Sequence, residues 1–365
     1  MDLRAVRADR LANDIDPRKA ENYRANHDGG PELLVPDVAD VRLGDLPDVT
    51  PDLVWASFPC QDLSLAGPGA GLAGARSGAF RPFWELVRQL RRAGRAPKLI
   101  ALENVCGALT SNGGRDFRAI AEAVSDLDYR FGALVVDAVH FLPQSRPRVF
   151  LIGVRGDLGI PAALTADGPG ALWHSPLLIA AQRRLSTAAA EAWLWWRLPS
   201  PAARNVSLEA LLGSDPPDAS WRSAAGVEAL LAMMSVGNRA KVAAAQAIGC
   251  RVVGTVYRRT RKDAHGMRRQ RAEARFDGVA GCLRTPAGGS SRQTVLVVEG
   301  DNVRARLLSA REAATLMGLP ETYVLPARYN DAYKLAGDGV AVPVVKHLAE
   351  NILDPILHPC LTRVA

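Results

Sequence analysis

Residues 98–105 read KLIALENV. The run from Lys98 to Leu102 has the composition of a buried strand, and the carboxyl group of Glu103 follows directly at its end. Short apolar runs of the same character lie at Asp52–Ser57, Phe131–Val139 and Arg148–Val154, and helix-like segments lie at Phe83–Arg92 and Asp116–Leu127. Strands that alternate with helices predict βαβ units. We therefore expect an α/β domain with a mainly parallel sheet over residues 1–155.

Two helix starts have clear local signals. Asp16-Pro17 combines an N-cap residue with proline at the first helical position, so we expect a helix from there to about Asn26. Ser309 and Glu312 have the spacing of a capping box, which predicts a helix that runs to Gly318.

Composition excludes several classes of protein. The chain has 365 residues, 48% of them apolar, yet no apolar run approaches the roughly 18 residues of a membrane span. The first ten residues mix charged and apolar side chains, so we expect no secretory signal. The five cysteines are scattered without a CxxC pair, which excludes a disulfide scaffold and a zinc ribbon. We expect no metal site and a location in the reducing cytoplasm.

Positive charge is concentrated in one segment. Residues 251–275 contain nine Lys or Arg and two acids, a net charge of +7 that equals that of the whole chain. Strand-forming residues on both sides of a His-Gly pair predict a β-hairpin, which could lie along a nucleic-acid groove. We expect Arg258, Arg259 and Arg261 to contact the polyanion, although a solvated loop would have the same composition. The three Trp residues of 193–196 are interpreted as hydrophobic core.

Four residues at predicted strand ends could carry chemistry together. Cys60 follows the first apolar run and could be a nucleophile, or a buried structural cysteine. Glu103 could be a proton donor, or could cap a helix or pair with an arginine. Arg146 and Arg148 are two residues apart at a strand entrance, where both side chains would lie on one face and hold a carbonyl or a phosphate. Their combination is more specific than any single residue.

These residues resemble the motifs of the DNA cytosine-C5 methyltransferase family. The resemblance rests on FPCQDLS at 58–64, ENV at 103–105 and QSRPRVF at 144–150, and it extends to LANDIDPRKAENYRANH at 11–27, LRTPAGGSSRQ at 283–293, RLLSAREAATLMGLP at 306–320 and YKLAGDGVAVPVV at 333–345. It implies a Rossmann-like sheet of the S-adenosylmethionine-dependent methyltransferases. A second, irregular and partly β target-recognition domain would span 156–305, and residues 306–365 would return to the catalytic domain.

The resemblance also implies a reaction. Cys60 would add to C6 of cytosine, Glu103 would protonate or hydrogen-bond N3, and Arg148 would hold O2 with Arg146 in support. The activated C5 would then take the methyl group of S-adenosyl-L-methionine. Because a stacked base is out of reach, the cytosine would be flipped out of the duplex.

The same resemblance implies ligand contacts. Asp14 would hold the ribose hydroxyls of the cofactor and Ile15 would lie on the adenine, with Asp40, Val41 and Pro59 completing that site. Asp14 could equally be one of several cap residues before the first helix.

DNA contacts and partners follow in the same way. Residues 66–78 resemble a closing loop of the family, and Gln61 and Ser64 would meet the DNA backbone. The implied substrate is double-stranded DNA. We expect the chain to act as a monomer, with a cognate restriction endonuclease as a possible partner.

One family motif does not occur in the printed sequence. The first strand and its F-x-G-x-G loop are absent before residue 11. We expect that translation starts upstream of Met1; the alternative is a truncated, catalytically impaired relative that still binds DNA. An RNA cytosine-C5 methyltransferase with the same residues is a further alternative. A cysteine hydrolase fits poorly, because none of the six histidines lies in a recognisable motif near Cys60.

Overall fold

The chain forms two compact units in a computed structural model that describes residues 11–27, 32–58, 79–212, 216, 219–262 (main chain only at 261 and 262), 266–284 and 292–359. The first unit contains residues up to 136, 147–200 and those from 346 onward, and the second contains 137–146 and 201–345. The sequence predicts boundaries near 155 and 305 instead. Residues 156–200 belong to the first unit because their apolar side chains, among them Trp193, enter its core.

The first unit contains most of the predicted strands and helices. Its elements before residue 200 are β1 (Leu11–Asn13), α1 (Pro17–Asn26), β2 (Glu32–Leu34), β3 (Leu53–Ala56), α2 (Phe80–Arg92), β4 (Leu99–Val105), α3 (Arg115–Ser125), β5 (Tyr129–Asp137), β6 (Pro147–Arg155), β7 (Thr165–Ala166), α4 (Pro176–Gln182), α5 (Thr187–Glu191) and β8 (Trp195–Trp196). The predicted elements are confirmed, with ends shifted by at most three residues. Asp16 caps α1 as predicted, because its carboxylate accepts a hydrogen bond from the Arg18 amide.

The main sheet of this unit has the strand order β3-β4-β6-β5. β3 pairs with β4 in parallel, whereas β4 pairs with β6 in the antiparallel direction. The sheet is therefore mixed, because β6 runs against β4 where the expectation of a mainly parallel sheet did not place an antiparallel strand. The cause is the short connection from β5 to β6, which is too short for a helical crossover to a parallel neighbour. β1 and β2 form a separate parallel pair.

The two faces of β4 have different roles. Ile100 and Leu102 lie in the core that includes the apolar residues of α2 and α3, such as Trp84 and Ile120. Side chains alternate along a strand, so Glu103 points to the opposite face.

Trp193 and Trp196 are 8% and 1% exposed, which confirms that the tryptophan cluster is core. His174 packs edge-on against the neighbouring Trp195, with ring centroids 5.0 Å apart, and is itself 4% exposed. Its Nδ1 lies 2.8 Å from the Gly170 amide nitrogen, which donates to it. The same Nδ1 lies 3.2 Å from the Gly170 carbonyl oxygen. Burial lowers the pKa of His174 and is the larger effect, whereas this contact raises it.

We expect the buried His174 to make the first unit less stable in acid. Burial lowers the pKa of His174 below its ordinary value of 6.5. As the pH falls below that value, the unfolded chain binds a proton that the folded chain does not, and the free energy of unfolding decreases. In His174→Gln this loss, measured by urea unfolding between pH 7.5 and 5.5, should shrink. The exposed His27→Gln is the matched control; equal pH dependence in both variants would contradict the expectation.

The second unit is built on an antiparallel sheet of order β10-β9-β11-β12. Its elements are α6 (Leu208–Leu212), α7 (Ala224–Ala232), α8 (Val236–Ala247), β9 (Arg251–Lys262), β10 (Arg268–Arg275), β11 (Thr294–Glu299), β12 (Asn302–Leu307), α9 (Ala310–Thr315) and α10 (Tyr329–Asp338). α7 and α8 cover one sheet face, where Val256, Ala272 and Leu296 are fully buried. The capping box of Ser309 and Glu312 is confirmed at the start of α9.

β9 and β10 extend beyond this sheet as a two-stranded arm. β11 pairs with β9 only from Arg251 to Val256, whereas the pairing of β9 with β10 continues to Lys262 and Arg268. Residues 257–262 and 268–273 form the arm, whose length is roughly 20 Å at about 3.4 Å per residue. The predicted basic hairpin is therefore confirmed.

The chain re-enters the first unit at Lys346, within α11 (Val342–Leu348). A π-helical turn and α12 (Asp354–Leu357) follow. Within the described ranges, no helix has both the length and the apolar character of a membrane span.

Candidate active site

Glu103 and Arg148 form an ion pair at the carboxyl end of β4. Arg148 Nε lies 3.2 Å from Glu103 Oε1, and the two side chains are 14% and 10% exposed. An arginine and a carboxylate in contact and largely removed from water interact strongly, and each fixes the orientation of the other. The predicted proximity of these two residues is thus observed.

Strand register explains why they meet. In the antiparallel pairing of β4 with β6, Arg148 lies opposite Val105 and Phe150 lies opposite Glu103. Glu103 and Arg148 are therefore diagonal neighbours on one sheet face, a separation that long side chains can span. A parallel arrangement of these two strands would not give this register.

Asn104 connects β4 to the segment that leads to Cys60. Its side-chain nitrogen donates to the Phe58 carbonyl oxygen at 3.2 Å, and its Oδ1 accepts from the Val105 amide at 2.9 Å. Asn104 is 6% exposed and Phe58 is 8% exposed, so the hydrogen bond is shielded from water. Sequence reasoning assigned no role to Asn104. Its position next to Glu103 near the end of β4 could have indicated a role, because neighbouring side chains of a strand point to opposite faces of the sheet.

Arg146 does not form the predicted fork with Arg148. It is 3% exposed, and its Nη2 donates to the carbonyl oxygens of Gly337 and Gly339 at 2.8 and 2.6 Å. Its Nη1 donates to the Leu283 carbonyl oxygen at 3.2 Å. Main-chain carbonyls distant in sequence bind this guanidinium, so Arg146 holds segments of the second unit together. The prediction failed because an i, i+2 spacing sets direction only inside a strand, and β6 begins after Arg146.

Gln144 has a comparable role in the second unit. It is fully buried, its Nε2 donates to the Leu316 carbonyl oxygen at 2.6 Å, and its Oε1 accepts from the Leu283 amide at 3.4 Å. The QSR part of the QSRPRVF motif is therefore engaged in structural hydrogen bonds, and Arg148 carries the contact with Glu103.

The residues predicted to hold the cofactor follow the ends of β1 and β2. These parallel strands end at the same edge, since Asn13 pairs with Leu34. Asp14 Oδ1 accepts from the Asp16 amide at 2.9 Å and its Oδ2 lies 3.4 Å from Lys19 Nζ, so a capping role is present. The Asp14 side chain is still 37% exposed and can accept further hydrogen bonds.

The neighbouring side chains fit a nucleoside in part. Ile15 is an apolar residue with 61% exposure, as a surface for a flat base requires. Asp40 is exposed, but Val41 is only 7% exposed, so a contact from Val41 would come from its main chain. Pro59, Cys60, Gln61 and Ser64 lie outside the described residues.

The predicted DNA-binding arginines lie on two faces of the arm. Arg258 is opposite Ala272 and lies on the same face as the buried Val256. Arg259 is opposite Arg271 and lies on the other face. For Arg261 the structure describes the main chain, which pairs with that of Arg269. Arg258 and Arg259 therefore do not lie on one contact surface.

Known proteins resemble this chain in sequence and in fold. The sequence model of the family "C-5 cytosine-specific DNA methylase" matches residues 6–354. The type II methyltransferase M.HhaI of Haemophilus parahaemolyticus is 25% identical over 348 residues, which cover 93% of this chain and 86% of that protein. Among solved structures, Entamoeba histolytica methyltransferase EhMeth has a TM-score of 0.60 at 13% identity, with 95% and 90% of the two chains covered. The S. pombe Dnmt2 methyltransferase has a TM-score of 0.54 at 17% identity, with 94% and 90% covered. These structures share the α/β methyltransferase fold, and the match over nearly the whole length shows that the chain belongs to the C-5 cytosine-specific DNA methylase family.

Proposed function

We propose that this protein transfers a methyl group from S-adenosyl-L-methionine to C5 of cytosine within a specific sequence of double-stranded DNA. The reaction proceeds through a covalent Cys60 adduct on a cytosine flipped out of the helix. The observation that carries the proposal is the Glu103–Arg148 ion pair, at the strand end that Asn104 connects to the main chain two residues before Cys60.

Each residue has one task in this mechanism. The Cys60 thiolate forms a bond to C6, which moves electron density to C5, N3 and the exocyclic O2. Glu103 shares with N3 a proton that comes from solvent when the base binds, and Arg148 donates to O2, where negative charge develops. The ion pair keeps both groups oriented before the base arrives, so little reorganisation is required. Once C5 carries the methyl group, transfer of the C5 proton to solvent and departure of the Cys60 thiolate restore the aromatic ring.

The cofactor site is assigned to the common edge of β1 and β2. Asp14 would accept hydrogen bonds from the ribose hydroxyls, Ile15 would cover the adenine, and Asp40, Val41 and Pro59 would complete the contacts. When bound there, S-adenosyl-L-methionine supplies an electrophilic methyl group on a sulfonium.

The basic arm supports duplex DNA as the substrate. The major groove of B-DNA is wide enough to admit a two-stranded β-ribbon, whereas the major groove of A-form RNA is too narrow for side chains to read. Gln61 and Ser64 would contact the DNA backbone beside the flipped base. The naming of M.HhaI as a type II methyltransferase supports a cognate restriction endonuclease as functional partner, and we expect the chain to act as a monomer.

Expression of the chain in a host without cytosine methylation tests this proposal. Bisulfite sequencing of the host DNA should show protected cytosines in one sequence context. Complete conversion in cells that contain soluble, folded protein would contradict the proposed activity of this chain, and methylation confined to host RNA would assign the RNA alternative.

We expect Glu103→Gln to lose methyl transfer by about 10²- to 10⁴-fold, because glutamine cannot exchange a proton with N3 and lacks the charge that orients Arg148 in the free protein. Single-turnover rates with saturating DNA measure the effect. Glu85→Gln is the matched control, since Glu85 forms an exposed ion pair with Arg92 at 3.2 Å. If Glu103→Gln melted at a lower temperature but kept its rate, Glu103 would be only a structural partner of Arg148.

A further inference from the structure

Arg259 lies in a different setting from the other arginines described on the arm. Its guanidinium carbon lies 4.5 Å from the centroid of the Tyr257 ring, and its Nε lies 4.0 Å from Glu273 Oε2. The Tyr257 hydroxyl donates to the same carboxylate. Tyr257 and Glu273 are directly opposite each other across the arm, so the three side chains form one cluster.

This cluster restricts the motion of Arg259 without occupying its hydrogen-bonding ends. Stacking on an aromatic ring fixes the plane of a guanidinium, and the nearby carboxylate attracts it from one side. Among the described residues, Arg259 Nε has no hydrogen-bond partner, and the side chain is 37% exposed. A planar guanidinium stacked on Tyr257 therefore lies midway along the arm.

Repulsion between opposing arginines on this face destabilises the protein when no ligand is bound. Arg259 lies directly opposite Arg271. Like charges at opposing positions of an antiparallel pair are destabilising. This pair indicates an electron-rich ligand, whose binding would remove the repulsion.

The carboxylate of Glu273 determines which kind of ligand Arg259 can contact. Its carboxylate is 27% exposed and would repel a phosphate that approached Arg259 closely. It does not hinder a neutral base edge, which presents hydrogen-bond acceptors without a net charge. The geometry at Arg259 therefore suits a base better than the DNA backbone.

We propose that Arg259 reads a guanine in the major groove, with Tyr257 and Glu273 as positioning residues. Guanine presents O6 and N7, the two acceptors that match the bidentate fork of arginine. This inference rests on the proposed function, and it names the residue that determines part of the target sequence. Arg258, on the opposite face and 3.5 Å from Gln270 Oε1, has no part in that reading.

The test compares the methylated sequence contexts of variants. Wild type, Arg259→Gln, Arg259→Lys and Arg258→Gln are expressed in a host without cytosine methylation, and its DNA is sequenced after bisulfite treatment. In Arg259→Gln we expect the preference for guanine at one position to fall roughly tenfold to hundredfold, while other positions keep theirs. Arg259→Lys keeps the charge but not the fork, so it should relax the same position. Arg258→Gln should keep the wild-type consensus, and Tyr257→Phe should relax it in part.

The possible results separate the inference from the function on which it rests. An unchanged consensus in Arg259→Gln would overturn the inference. An equal decrease of methylation at every site, with a lower salt dependence of DNA binding, would also overturn it and would make Arg259 a phosphate contact. In both cases the wild type would still methylate one sequence. A wild type that methylates no DNA would instead overturn the proposed function, and this inference with it. Melting curves of the wild type and the four variants confirm that each variant is folded.

Discussion

Cys60→Ser should abolish methyl transfer, with a rate lower than that of wild type by about 10⁴-fold or more. A serine hydroxyl is rarely ionised near neutral pH and adds to C6 far more slowly than a thiolate. Binding of duplex DNA should be retained, since the substitution changes one atom. The hydrogen bond from Asn104 to the Phe58 carbonyl oxygen lies outside the changed residue and should keep the preceding main chain in place. Transfer of a labelled methyl group and a gel-shift assay measure the two properties separately.

The exposed, free Cys250 provides the matched control, and Cys250→Ser should retain full activity. A duplex with 5-fluorocytosine at the target adds a direct test, because fluorine at C5 cannot leave as a proton does. Wild type should remain covalently attached to this DNA and Cys60→Ser should not. Turnover by Cys60→Ser, or a covalent complex that still forms in it, would exclude Cys60 as the nucleophile.

Arg306→Leu should lower the free energy of unfolding of the second unit by about 3–5 kcal/mol, the usual result of leaving one partner of a buried ion pair alone. Arg306 is 1% exposed, and its two terminal nitrogens lie 2.8 and 2.7 Å from the two carboxylate oxygens of Glu312. Glu312 Oε2 also accepts from the Ser309 amide at 2.7 Å, as part of the capping box of α9. The substitution therefore leaves a buried carboxylate that the protein cannot move into water without breaking the cap.

Urea unfolding measures this effect, and the melting temperature should fall by roughly 10 °C. The double variant Arg306→Leu/Glu312→Gln should recover part of the loss, because glutamine keeps an oxygen for the Ser309 amide without the charge. Arg92→Leu, which removes an exposed ion pair with Glu85 at 3.2 Å, should change stability by at most about 1 kcal/mol. A loss of similar size in both single variants would contradict the role assigned to the buried pair.

Local signals in the sequence were sufficient for α1, α2, α3 and α9 and for the strands β3 to β6, but they did not predict the helices between residues 176 and 247. The Asp16 cap and the Ser309–Glu312 capping box depend on contacts within three residues, so their outcome hardly depends on the rest of the fold. Apolar runs identified the strands for the same reason. The family resemblance likewise rests on short motifs, and the match over residues 6–354 confirms it.

Direction and pairing of the strands were decided by the tertiary structure. An apolar run reads the same for a parallel and an antiparallel neighbour, so the sequence could not show that β6 runs against β4. That pairing is what places Arg148 beside Glu103. Period-two alternation separates Arg258 from Arg259, but only the packing of α7 and α8 on Val256 determines which face is covered.

The different fates of Arg146 and Arg148 show the same division most clearly. The sequence determined that both arginines lie at the start of a strand, because this depends on neighbouring residues. Only the folded chain decided that Arg148 contacts Glu103 and that Arg146 binds the carbonyls of Leu283, Gly337 and Gly339. Those partners are up to 193 residues away. A side chain's role depends on which distant groups the packed chain brings within about 3 Å, and no local pattern encodes that distance.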